Sequence, residues 1–104
     1  VPGVATPTEL NNALRMGAGL IKIFPASDLG GVGYIKALCA PFKMQEFGLI
    51  PTGGINEKNI ASYYASPRVI ACGLSYIVDT ALAEKGDLKT LAERIRTVKS
   101  VIPR

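Results

Sequence analysis

Apolar residues in this chain follow two alternating rhythms: short unbroken runs, and stretches in which they recur every three to four positions. The runs read as buried strands, the recurring stretches as helices with one apolar face. Val1-Pro2-Gly3-Val4 has the character of a strand end. Thr6-Pro7-Thr8-Glu9 then fits a capping box, with Thr6 as N-cap, Pro7 at the first helical position and Glu9 at the third. Leu10, Ala13 and Leu14 form that helix's apolar face, and Gly17 or Gly19 ends it. Leu20 to Phe24 is the next strand, and Gly30-Gly31 leads into a helix carrying Tyr34, Ile35, Leu38 and Cys39, stopped by Pro41. A third strand runs from Phe47 to Pro51, after which Asn56 is expected to cap a helix with Ile60, Tyr63 and Tyr64. Ser66-Pro67 breaks it, and Arg68 to Gly73 reads as a fourth strand. A short helix is expected through Ala81-Leu82-Ala83. Asp87 is expected to cap a final one with Leu88, Leu91, Ala92, Ile95 and Val98 on one side.

Alternating β and α units imply an α/β fold with a parallel sheet and helices on its faces. No linker or low-complexity tract interrupts the pattern, so residues 1–104 read as a single domain. Four such units amount to about half of an eight-fold barrel, which typically takes ~250 residues. A small open α/β sheet, complete in itself, fits the same pattern.

Lys22 breaks the apolar run Leu20-Ile21-Lys22-Ile23-Phe24. Period two puts Leu20, Lys22 and Phe24 on one strand face and Ile21 and Ile23 on the other. In a barrel Lys22 would point inward near the strand's C-terminal end, where barrel active sites lie. Burial there disfavours the ammonium form, and a neutral amine is a nucleophile toward ketones. A lysine snorkelling from an edge strand is the alternative.

Two further loops follow strands. Thr52-Gly53-Gly54-Ile55-Asn56 has consecutive glycines that let backbone amides approach an anion at a helix start, although an ordinary tight turn uses the same residues. Gly73-Leu74-Ser75 repeats the arrangement after the fourth strand, with a serine hydroxyl suited to phosphate. Ser27-Asp28 could face the same mouth, with Asp28 read as a helix-approach residue.

Composition narrows the classes. Hydrophobic residues make up 48% of the chain, which places it among globular proteins rather than disordered ones. Apolar runs all fall short of the ~20 residues needed to span a bilayer, and Val1-Pro2-Gly3 opens on structured-looking sequence rather than a signal peptide. Net charge is +4, much of it in the stretch that starts at Lys85 and interleaved there with acidic residues, so a solvated helix face is expected rather than a nucleic-acid surface. The chain has no histidine, which removes the commonest general base and metal ligand, so a zinc-dependent mechanism is not expected. Cys39 and Cys72 read as buried thiols in a reducing compartment, which points to the cytoplasm.

Taken in order, Gly19 to Ala26, Gly30-Gly31, Ala40-Pro41-Phe42, Pro51-Thr52-Gly53-Gly54-Ile55 and Cys72-Gly73-Leu74-Ser75 resemble one family. It is the 2-keto-3-deoxy-6-phosphogluconate (KDPG) / 4-hydroxy-2-oxoglutarate (KHG) aldolases, and Val1 to Val4 with Thr8-Glu9 also fit. The resemblance spans nearly the whole chain. It implies the C-terminal half of a (β/α)8 barrel, usually a homotrimer, working without metal or other cofactor. Lys22 would form a Schiff base with the substrate's C2 ketone, releasing pyruvate and glyceraldehyde 3-phosphate. Thr52 would hydrogen-bond substrate, while Gly53, Gly54, Gly73 and Ser75 would hold its phosphate. The implied partners are a phosphorylated keto acid and an N-terminal half-barrel or a second copy. Leu74 departs from the pattern, since many members have glycine before the serine. The family's catalytic glutamate and carboxylate-binding arginine lie in the first half of the barrel; Glu46 and Glu57 read as exposed residues, not as equivalents.

Overall fold

The computed structural model describes residues 1–74 and 88–102. Three parallel strands form one sheet in the order of the chain: β1 (Gly3–Val4), β2 (Leu20–Ile23) and β3 (Gly48–Pro51). Registers pair Gly3 with Lys22 and Lys22 with Ile50, so these three positions share one face. The helical elements are α1 (Pro7–Arg15), α2 (Ala26–Leu29), α3 (Gly31–Cys39), a 3-10 turn at Ala40–Phe42, α4 (Ile60–Tyr64) and α5 (Leu88–Val101).

Local chemistry accounts for the ends of α1. Thr6 Oγ1 accepts from the Glu9 amide at 3.2 Å while the Glu9 carboxylate accepts from the Thr6 amide at 3.1 Å, the expected capping box. At the other end the Gly17 amide donates to Leu14 and the Ala18 amide to Ala13, a Schellman closure that satisfies the last carbonyls. Pro41 does not stop the chain abruptly. The helix tightens into the 3-10 turn, where proline at an early position needs no amide donor. Asn56 does not cap α4 directly. Its Oδ1 accepts from the Lys58 amide two residues on, an Asx turn, and the α-helix begins at Ile60.

The fourth strand is only partly a strand. Val69 bridges Leu49 and Gly73 bridges Thr52, both in parallel, with no continuous ladder between them. From Leu49 to Thr52 is three steps, whereas from Val69 to Gly73 is four, so the segment carries one extra residue and bulges. Pro51 contributes, because it has no amide to donate to the neighbouring segment. The predicted helix through Ala81–Ala83 and the Asp87 cap lie outside the described residues.

Among the described residues, helices cover one face only. Val4, Ile21, Ile23, Leu49, Pro51 and Val69 are buried there against Leu10, Ile35, Leu38, Ile60, Tyr63 and Val98. On the other face Leu20, Phe24 and Ile70 are 40%, 52% and 51% exposed. A doubly wound sheet reverses its strand order and carries helices on both faces. An unbroken order with helices on one side is barrel geometry.

Candidate active site

Lys22 stands on the uncovered face of β2, its amide bonded to the Pro2 carbonyl at 2.9 Å and its Nζ 5.2 Å from the centre of the Phe24 ring. The side chain is exposed, which corrects the expectation of a buried amine. The alternation is as read from the sequence, but among the described residues no second layer covers that face. Phe24, two residues on along the same face, offers its ring to the ammonium.

One strand over, β3 ends in the Thr52–Gly54 turn. The Thr52 amide donates to Ile23 at 2.8 Å, and period two places Thr52 on the same face as Ile50 and therefore as Lys22. The turn is clamped to the start of α2: the Ala26 amide donates to Thr52 O at 2.8 Å and the Ser27 amide to Gly53 O at 3.1 Å. Both glycines are needed. Gly53 and Gly54 have φ of +106° and +72°, and a Cβ on Gly54 would lie 2.6 Å from Ser27 Cβ.

Gly73 closes the row. Its amide donates to Pro51 O at 2.9 Å, and a Cβ there would lie 2.5 Å from Thr52 Oγ1, so the threonine hydroxyl sits directly over the glycine. Lys22, Thr52, Gly53, Gly54 and Gly73 thus lie on neighbouring parallel segments, toward their C-terminal ends. Ser75 lies outside the described residues. Asp28 is exposed in the first turn of α2. Glu46 is exposed as expected, but Glu57 is half-buried and lines a cavity with Thr90 and Arg94 of α5.

Two contacts were not legible in the sequence. Ser27 Oγ lies 3.0 Å from the Tyr63 phenol oxygen, and Asn59 Nδ2 donates to the Gly54 carbonyl at 2.9 Å. Tyr63 reads from the sequence simply as a helix residue and Asn59 stands just before that helix, and only the docking of α4 beneath the turn reveals the direction of both. The cysteines are half-buried and unpaired rather than fully buried. Burial raises both thiols, Cys72 to about 11, with an opposing hydrogen bond from Tyr64. Cys39 is pulled down in part by the nearby Arg68.

The architecture defines an α/β protein of consecutive parallel βα units, with an amine and a Gly-Gly turn at neighbouring strand ends. The chain belongs to the KDPG and KHG aldolase family, whose model matches residues 1–94. It is 44% identical over 87 residues to the 2-dehydro-3-deoxy-phosphogluconate aldolase of Treponema pallidum, covering 84% of this chain and 40% of that protein. The Haemophilus influenzae enzyme of the same name is 39% identical over 101 residues, 97% of this chain and 47% of its own. Among solved structures, the KDPG aldolase of Legionella pneumophila with pyruvate captured at low pH as a covalent carbinolamine superposes with a TM-score of 0.82. It is 33% identical and is matched over 98% of this chain and 47% of its own. The chain thus spans somewhat under half the length of these relatives.

Proposed function

We propose that this chain supplies the C-terminal, lysine-bearing half of a Schiff-base aldolase that cleaves 2-keto-3-deoxy-6-phosphogluconate. The observation that carries the reading is the shared face and strand end of Lys22 and the Thr52–Gly54 turn on adjacent parallel strands. The Legionella relative, trapped with pyruvate as a carbinolamine, supports it by analogy.

In this reading the Lys22 amine adds to the C2 ketone, giving a carbinolamine that loses water to a protonated imine. A base removes the C4 hydroxyl proton, the C3–C4 bond breaks, and its electron pair passes into the iminium to give an enamine. Glyceraldehyde 3-phosphate departs. Protonation of the enamine at C3 and hydrolysis of the imine return pyruvate and the free amine. Thr52 hydrogen-bonds the substrate, while Gly53, Gly54, Gly73 and Ser75 form the phosphate end. The general base and the residue holding the substrate carboxylate come from the other half of the family's barrel. Cleavage of 4-hydroxy-2-oxoglutarate uses the same lysine and a different aldehyde, and relative rates on the two substrates separate the activities.

The uncovered sheet face favours a requirement for completion. Leu20 and Ile70 meet across Gly48, each within 3.2 Å of where its Cβ would stand, and Phe24 adds further exposed apolar surface. A parallel sheet normally has both faces covered. An N-terminal half-barrel or a second copy of the chain would cover this one. A half that only assembles, without reacting, is the competing reading.

Borohydride reduction in the presence of pyruvate, followed by peptide mass mapping, tests the proposal. A reduced pyruvyl adduct on Lys22 is expected, at higher yield once an N-terminal half is supplied. An adduct only with that half present assigns the working site to the assembled barrel. No adduct on Lys22 under either condition would sink the aldolase reading.

A further inference from the structure

Beneath the Gly53–Gly54 turn lies a set of side chains that the aldolase chemistry leaves without a role. Ser27 Oγ is 3.0 Å from the Gly54 carbonyl oxygen and 3.0 Å from the Tyr63 hydroxyl, and Asn59 Nδ2 is 2.9 Å from that same carbonyl. A carbonyl can only accept, and serine has a single hydroxyl proton. Ser27 therefore donates to Gly54, and Tyr63 donates to Ser27. Tyr63 is 2% exposed, so the far end of this relay is anchored in the core.

The consequence is directional. Three successive carbonyls are held on one side: Thr52 O by the Ala26 amide, Gly53 O by the Ser27 amide, and Gly54 O by Ser27 Oγ and Asn59. In a planar trans peptide the N–H points opposite to the C=O. Fixing these carbonyls toward α2 and α4 turns the amides of Gly53, Gly54 and Ile55 the other way. Among the described residues those three amides donate to nothing. Successive free amides around glycines at positive φ make an anion-binding concavity.

We propose that Ser27, Asn59 and Tyr63 are positioning residues: they hold the Gly53, Gly54 and Ile55 amides outward as the cradle for the substrate's phosphate. This rests on the phosphate-loop reading above. None of the three touches the substrate. Their effect reaches it through the peptide planes of the turn.

Inorganic phosphate titrated into the isotope-labelled full chain, followed amide by amide in NMR spectra, tests this. Saturable shifts centred on Gly53, Gly54 and Ile55 are expected in the wild type. Ser27→Ala, Tyr63→Phe and Asn59→Ala should each weaken phosphate about five- to tenfold, the scale of one hydrogen bond. Ser27→Thr, which keeps the hydroxyl, should recover most of the loss. A purely structural role would lower the unfolding midpoint while leaving the phosphate affinity of the folded chain intact. Wild-type affinity in folded Ser27→Ala and Asn59→Ala overturns the proposal, as does the absence of shifts at the three amides in the wild type. Pyruvate trapping on Lys22 needs no phosphate. An adduct without a phosphate response therefore rejects the cradle and leaves the lysine reading standing.

Discussion

Replacing Gly54 by alanine asks whether the turn is held by the contacts described. Gly54 has φ +72°, so any L side chain there meets the left-handed penalty of about 1–2 kcal/mol. The new Cβ would also lie 2.6 Å from Ser27 Cβ and 2.7 Å from its Oγ, well inside ordinary contact. Ser27 must move by most of an ångström. That movement breaks its 3.0 Å bonds to Gly54 and Tyr63, about 1 kcal/mol each. The expected cost of Gly54→Ala is therefore about 3–4 kcal/mol. Gly17 provides the control, since it has φ +88° but no atom within 4 Å of where an added methyl would stand. Gly17→Ala should cost only the backbone penalty, about 1–2 kcal/mol.

Urea unfolding followed by tyrosine fluorescence measures both. With a slope of about 1–1.5 kcal/mol per molar for a chain of this size, the midpoint should fall by over 2 M for Gly54→Ala and by roughly 1 M for Gly17→Ala. Combining Ser27→Gly with Gly54→Ala removes the colliding side chain, so the double variant should lose less than the sum of the single losses. Equal losses for Gly54→Ala and Gly17→Ala, or strict additivity in the double variant, would refute the reasoning.

Other sites make separate tests. Arg68 donates to the Phe42, Gln45 and Phe47 carbonyls at 2.8, 2.9 and 3.4 Å and stacks 3.9 Å from the centre of the Phe47 ring. Arg68→Ala should cost about 2–4 kcal/mol in urea unfolding, and Arg68→Lys should recover less than half, because an ammonium has no planar fork. Burial holds Cys72 up at about 11, so its alkylation rate should climb through pH 8–10 without levelling; a plateau near pH 9 would contradict this. The sign for stability follows from the raised value. The contribution is full below the unfolded thiol's ordinary pKa, near 8.5–9, and is lost as pH rises toward 11. Lys22 is exposed, so Lys22→Met should remove the pyruvate adduct while changing unfolding stability by less than about 0.5 kcal/mol.

Local chemistry carried much of this fold into view from the sequence. Thr6, Pro7 and Glu9 specify the start of α1 because capping needs only four consecutive residues and their own backbone. The alternation in Leu20 to Phe24 assigns Ile21 and Ile23 to one face and Lys22 to the other, because side-chain direction in a strand is set by the pleat. The Lys22 strand and the Gly-Gly turn are likewise contiguous motifs, which is why the family is recognisable from them. What lay beyond reach depends on residues far apart in the chain. The break in the fourth strand arises from a register mismatch between residues 49–52 and 69–73. The tie of Ser27 to Tyr63 spans 36 positions. Whether Lys22 is buried depends on what covers its face, and an alternating pattern states only which way a side chain points. Sequence determined most of the elements, their faces and the site's residue types, since those follow from neighbours along the backbone. Tertiary structure alone decided which carbonyls are tied down, which amides are left free and which face stands open, since these are set by how separate elements dock.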